Sequence, residues 1–147
     1  MLNEDYAEML RLLLKDRVKF LIVGAYAMGA QGYPRATGDI DIWVKPTLEN
    51  SKKIYKTLTA FGAPLSKVQT DTFAEKGIVF QIGVAPRRID ILTHIDGVDF
   101  DQAYQDREKI RIDGLSVPFL SKANLIKNKE ATGRDKDKLD AKYLKAH

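Results

Sequence analysis

Helical and extended patterns alternate along the chain, which predicts an α/β (α+β) fold, a mixed β-sheet flanked by helices. Three observations carry this expectation. Tyr6, Met9, Leu10, Leu13 and Leu14 follow the i, i+3, i+4 spacing of an amphipathic helix. Residues 39–44, DIDIWV, alternate with the period of two that marks a strand. Asp113 and Gly114 sit between β-type residues, which is a hairpin signal.

Each element follows in order. Asn3 is placed to cap a first helix over residues 4–15. VKFLIV, residues 18–23, is a short apolar run typical of a buried strand. Gly24 ends it, and AYAMGAQ opens a short helix that closes before Gly32. YPRATG is loop chemistry, because Pro34 biases Tyr33 away from helix. After the strand at 39–44, Thr47 caps a helix over 48–61 in which Ile54, Leu58 and Phe61 repeat, and Gly62 stops it. GIVFQIGVAP and RRIDILT, divided around Pro86, read as two strands or one kinked strand. Residues 100–108 read as a short helix and RIDGLSV as a hairpin. Ser121 caps a helix to about residue 131, and Leu139, Tyr143 and Ala146 fall on one face of a last helix.

A chain of 147 residues with 44% hydrophobic content suits one domain, residues 1–147, with the helices at about 121–146 packing on it. From Ser121 onward eight Lys and Arg stand against four acids, an excess that equals the whole net charge of +4. An anion-attracting field is therefore expected to centre on the C-terminal segment, unless that segment is simply a solvated helical face. The absence of cysteine removes thiol nucleophiles, Cys-type zinc sites and disulfides, and fits a reducing compartment. MLNEDYAEML lacks a basic region followed by an apolar run, and no stretch approaches the roughly 18 apolar residues of a membrane span. The expectation is a soluble, cytoplasmic protein with no membrane partner.

In a strand, residues two apart point the same way, so Asp39 and Asp41 are expected to project together, with Ile40, Ile42 and Val44 opposite. Two parallel carboxylates repel unless cations lie between them. Oxygen donors with few His and no Cys favour a hard ion such as Mg²⁺ (or Mn²⁺) over softer metals. The spacing alone also occurs on solvated strand ends. Its company sharpens it. Gly24 lies at a strand-to-helix junction, where backbone N–H groups can approach a phosphate. Downstream, Asp90 sits between Ile89 and Ile91. An acid in that setting costs free energy unless it is paired, to Arg87 or Arg88, or holds a metal.

VGAYAMGAQGYPRATGDIDIWV resembles the signature of the polymerase β-type nucleotidyltransferase superfamily: a strand, a Gly-plus-small-residue turn opening a helix, then Asp-x-Asp on the next strand. RIDIL resembles its third-carboxylate strand. The chain is most similar to small bacterial and archaeal members related to abortive-infection and minimal nucleotidyltransferases of toxin–antitoxin systems. There PRATGDIDIWV recurs with a closing pattern, here Lys129, Gly133, Arg134, Lys136, Asp137 and Asp140. The resemblance spans roughly residues 18–145. It implies the nucleotidyltransferase fold, and that Asp39 and Asp41 bind the metals carrying a nucleoside triphosphate (NTP), while Asp90 completes one site and takes the acceptor's proton. The usual turn is Gly-Gly or Gly-Ser, whereas Ala25 follows Gly24 here. Backbone N–H contacts survive that change and a hydroxyl contact to phosphate does not.

Arg35 and Thr37 stand just before the acids, where Arg35 can pair with triphosphate oxygens or with the carboxylates themselves. Lys129, Arg134 and Lys136 can reach phosphates, or pair with Asp137 and Asp140 at helical spacing. Trp43 can stack on a base or fill the core. His94 and His147 are the only histidines, too few for a His-rich metal cage, and no nucleophile elbow, G-x-x-x-x-G-K-[ST] or G-x-G-x-x-G is present. The expected function is transfer of a nucleoside monophosphate from an NTP to an acceptor hydroxyl of a protein, tRNA or small molecule, with an antitoxin-type protein as a partner. The alternatives are a catalytically silent nucleotide- or partner-binding member, or a basic nucleic-acid-binding module.

Overall fold

The computed structural model describes residues 2–33 and 38–147. Its order is α1 (Glu4–Lys15), β1 (Phe20–Val23), α2 (Gly24–Ala30), β2 (Ile40–Val44), α3 (Leu48–Phe61), a 3₁₀ turn (Thr72–Ala74), β3 (Val79–Ile82), β4 (Ile89–Leu92), α4 (Phe100–Gln105), β5 (Glu108–Ile112), β6 (Leu115–Phe119), α5 (Lys122–Thr132) and α6 (Asp135–Ala146). The expected caps are in place. Asn3 accepts from Tyr6 N, Thr47 from Asn50 N and Ser121 from Asn124 N, each satisfying an N–H that its helix leaves open. Gly62 and Gly133 end α3 and α5 in the left-handed conformation that glycine adopts without strain.

The six strands form one mixed sheet in the order β3-β4-β2-β1-β6-β5. β1 runs antiparallel to β2 and parallel to β6, while β2 runs parallel to β4. β1 is buried along its whole length, as its continuous apolar run requires. Tyr6, Met9, Leu10 and Leu13 from α1 join Ile54 and Leu58 from α3 and the strand residues Phe20, Ile22, Ile42 and Ile91 in one hydrophobic cluster. No helix among the described residues is long and apolar enough to cross a membrane.

Three expectations need correction. The strand begins at Ile40, so Asp39 precedes it, and its carboxylate accepts a backbone hydrogen bond from Arg88 N instead of extending the strand pattern. The helix expected over 100–108 stops at Gln105, because the Arg107 guanidinium donates to Tyr104 O and Glu108 joins β5. The last helix does not bury Leu139, which is exposed; it buries Asp137, Asp140, Ala141 and Leu144. Lys129 of α5 draws the two acids inward, and this polar attraction sets the helix rotation that apolar periodicity failed to predict.

Candidate active site

The register of two parallel strands builds the centre of the site. Asp41 of β2 is the partner of Asp90 of β4, and both carboxylates project from the same face of adjacent strands. Gly24 closes one side. Its φ is +68°, and a Cβ there would stand 2.2 Å from Asp41 Oδ2, so only glycine fits on both counts. Arg88 closes the other side. Its Nε lies 2.7 Å from Asp90 Oδ1, and one terminal guanidinium nitrogen lies 3.0 Å from Asp90 Oδ2 and 3.2 Å from Asp39 Oδ2. Of the two arginines named as partners for Asp90, Arg88 takes the part.

Tyr6 fixes the approach to both strands. Its hydroxyl donates toward Gly38 O at 2.6 Å and Arg88 O at 3.1 Å, the carbonyls just before β2 and β4. Burial pushes its ionisation up to about 12, with Tyr26 and Asp39 adding to the shift, so the phenol stays a donor. Gly38 also needs its missing side chain, since a Cβ would lie 2.9 Å from Pro86.

Among the described residues, three carboxylates face one guanidinium, which leaves an unbalanced charge. Burial, then neighbouring Asp90 and then Asp39, together push Asp41 up to about 7, with Arg88 opposing them only in part. The guanidinium is in turn held above its ordinary value, first by its hydrogen bond with Asp90. Among the described residues no three His, Cys, Asp or Glu side chains are gathered as a ready metal-binding group, and Arg88 pairs with both Asp39 and Asp90. Asp41 and Asp90 nevertheless present two hard oxygen donors side by side, with a proton retained near neutrality that a divalent ion could replace.

Asp41, alone of the three acids, lines a cleft of about 450 Å³ whose walls also include Gly24, Ala25, Lys129, Arg134 and Lys136. The first turn of α2 carries no side-chain cap, so its backbone N–H groups have no side-chain partner there. Lys129 is buried, 3.2 Å from both Asp137 Oδ1 and Asp140 Oδ2, so structural pairing describes its position. Arg134 lies 2.8 Å from Asp137 but stays largely exposed, and Lys136 is exposed. Burial raises Asp137, yet hydrogen bonds from Thr132 and Lys129 and the Lys129 charge outweigh it, so its carboxyl is held below the usual range. Arg35 and Thr37 lie outside the described residues. Trp43 is buried edge-on to Phe100, with ring centroids 5.0 Å apart, so it packs in the core.

Asn128 of the cleft escaped the sequence reading, and His94 was weighed there only as a metal ligand. His94 lies 3.3 Å from Asp96 Oδ1, and both line the cleft beyond the end of β4. His94 was set aside for want of other histidines, yet its place four residues after Asp90 on the same excursion was the available signal. Asn128 donates to Asp96 O at 2.9 Å, tying this turn to α5.

No protein-family model and no curated protein matches the chain. Two solved structures share its architecture. One is the crystal structure of a protein provisionally described as a nucleotidyltransferase from Thermotoga maritima, at a TM-score of 0.66 and 17% identity, covering 100% of this chain and 97% of that one. The other is the solution structure of the antibiotic-resistance factor ANT(2'')-Ia, at a TM-score of 0.59 and 15% identity, covering 95% and 80%. The chain has the nucleotidyltransferase fold. In this nucleotidyltransferase fold the Asp41–Asp90 pair occupies the centre of the sheet, where β2 and β4 are flanked on both sides by other strands.

Proposed function

We propose that the chain is a metal-dependent nucleotidyltransferase that moves a nucleoside monophosphate from an NTP to an acceptor hydroxyl and releases pyrophosphate. The observation that supports this most is the in-register Asp41–Asp90 pair closed against Gly24, with Asp41 raised to about 7. A fold would hardly tolerate that unbalanced charge for stability alone. Asp41 and Asp90 would hold Mg²⁺ or Mn²⁺, with Asp39 joining them once it leaves Arg88. The ion, when bound, supplies charge neutralisation for the phosphates and for the attacking and leaving oxygens.

The chain's own groups divide the remaining work. Asp90, on a different strand from Asp39 and Asp41, takes the acceptor proton. The backbone N–H groups of Gly24 and Ala25 offer donors to phosphate oxygens, and Arg134 and Lys136 bring positive charge to the cleft. Arg35 and Thr37 stand just before the acids in the sequence and are proposed to meet the triphosphate. Lys129 positions α5 against α6 through Asp137 and Asp140.

Incubation with α-labelled NTPs, Mg²⁺ and cell lysate tests the reading. Labelled protein, tRNA or small molecule that disappears with Asp41→Asn supports it, and label transfer that survives Asp41→Asn ends it. The Arg88 clamp and Ala25 favour a second reading, a catalytically silent member that binds a nucleotide or a partner protein. Calorimetric binding of Mg·NTP with no transfer to any lysate component selects that one. The sequence resemblance to toxin–antitoxin members suggests a cognate protein partner in the same cells, which co-purification from the source organism tests.

A further inference from the structure

A groove of about 470 Å³ lies at the start of β1, the opposite end from Gly24 and Asp41. Arg17, Lys19, Lys53, Arg107 and Lys109 line it, and no acid does. A smaller cavity of about 120 Å³ continues from it, sharing Lys19 and Lys53 and adding Lys45 and one acid, Glu49. Among the described residues no carboxylate pairs with Arg17, Lys19 or Lys109, while Lys53 is 3.7 Å from Glu49 and Lys45 is 2.8 Å from Asp101. Like charges gathered with so few counter-charges raise the local potential and oppose folding, so they need an occupant to explain them.

The groove is built, not merely charged. The buried amide of Asn50 accepts from Lys19 N at 2.8 Å and donates to Lys19 O and Lys45 O at 3.0 Å, fixing the backbone under two of the lysines. Arg17 terminates α1 at φ +58°, a left-handed position that glycine fills at lower strain. An arginine kept there points to use of its side chain. Arg107 lies 4.0 Å over the Tyr104 ring, which also stacks on Phe100 at 5.5 Å, so the guanidinium is oriented and the ring is already engaged.

We propose that this groove binds the sugar–phosphate backbone of single-stranded nucleic acid. Six cations spread between residues 17 and 109 exceed what one phosphate group can use and match a chain of them. With Tyr104 engaged, contact is to backbone charge and base sequence matters little. A membrane surface fits less well, since the exposed large hydrophobics Leu48, Val79, Val84 and Leu139 all lie outside the groove. The groove does not depend on the carboxylate chemistry at the other end of the sheet.

Fluorescence anisotropy with a labelled single-stranded RNA of roughly 12 nucleotides, in EDTA to remove divalent ions, tests this. Lys19→Glu/Lys109→Glu is expected to weaken binding at least tenfold and to flatten log K against log salt by about 0.7 for each lost phosphate contact. Lys19→Arg/Lys109→Arg should restore both, and an unchanged melting temperature shows that the reversal variant is folded. Asp39→Asn/Asp41→Asn should leave RNA binding intact even though it removes Mg·NTP binding, so failure here is separable from failure of the nucleotidyltransferase reading. No RNA binding, binding indifferent to the reversal, or binding lost instead with Lys136→Glu/Lys138→Glu overturns the proposal. So does tighter binding to phosphopeptide or to phosphatidylserine vesicles than to RNA.

Discussion

Two clusters of acids, one buried and one partly buried, stand at one cleft and are treated oppositely by the fold. At the α5–α6 junction, Asp137 and Asp140 meet Lys129 and Arg134, so charges balance, and the Asp137 carboxyl is held below its usual range. Beneath the cleft, Asp39, Asp41 and Asp90 share one guanidinium among the described residues, and Asp41 is pushed up to about 7. The balanced cluster has what a structural tie requires. The unbalanced one lowers the stability of its own ionised form and so keeps an affinity for further positive charge. The same residue type serves architecture in one place and, in the proposed function, chemistry in the other, and the counter-ion ratio distinguishes the two settings.

The comparison can be broken most forcefully at Asp90. Asp90→Asn keeps the shape of the side chain, so Mg·NTP binding should stay within a few-fold while single-turnover transfer falls by roughly 10²–10⁴. A variant that transfers normally, with Asp96→Asn inactive instead, would move the third carboxylate to the turn after β4. In the balanced cluster, Lys129→Met removes the ammonium that two buried acids share and should cost about 3–5 kcal/mol in urea unfolding. A loss near zero would mean that the cluster does not hold the helices.

The clusters should also respond to pH with opposite sign. Folded Asp41 keeps its proton up to about pH 7 whereas the unfolded chain releases it near the ordinary aspartate value of 3.8, so the unfolded state binds fewer protons between these values. Metal-free protein should therefore lose Asp41's contribution to stability as pH rises from about 4 to about 7, and Asp41→Asn should flatten that slope in melts across the range. Asp137 works the other way. Its contribution is present above the unfolded carboxylate value and is lost as pH falls through its lower folded value. The smallest effect belongs to an ordinary surface pair, Lys53 with Glu49, where Lys53→Ala should change stability by less than about 0.5 kcal/mol. A larger loss would show that the groove cations are coupled to folding.

What the sequence revealed was local. Helices bounded by Asn3, Thr47, Gly62 and Ser121 were legible because caps and stops act within a few residues. Asp41 and Asp90 could be singled out because an acid among isoleucines needs a reason, though their pairing came from strand order, which periodicity does not encode. The rotation of α6 was hidden because a buried face made of Asp137, Asp140 and Lys129 does not look buried by hydropathy. The basic groove was hidden for a different reason. Counted along the chain, residues before Ser121 are balanced in charge, and only folding brings Arg17 and Lys19 beside Arg107 and Lys109.

Tyr6 gives the site a birth order. A growing chain emerges N-terminus first, so α1 and its phenol leave the ribosome long before either of the carbonyls that the hydroxyl meets. Gly38 becomes available first, once β1 and β2 can pair as neighbours, and Arg88 arrives only with the last carboxylate two residues behind it. In the folded chain one hydroxyl thus ties the entry of both acid-bearing strands to the first helix, so the two carboxylates share a single anchor set at the N-terminus.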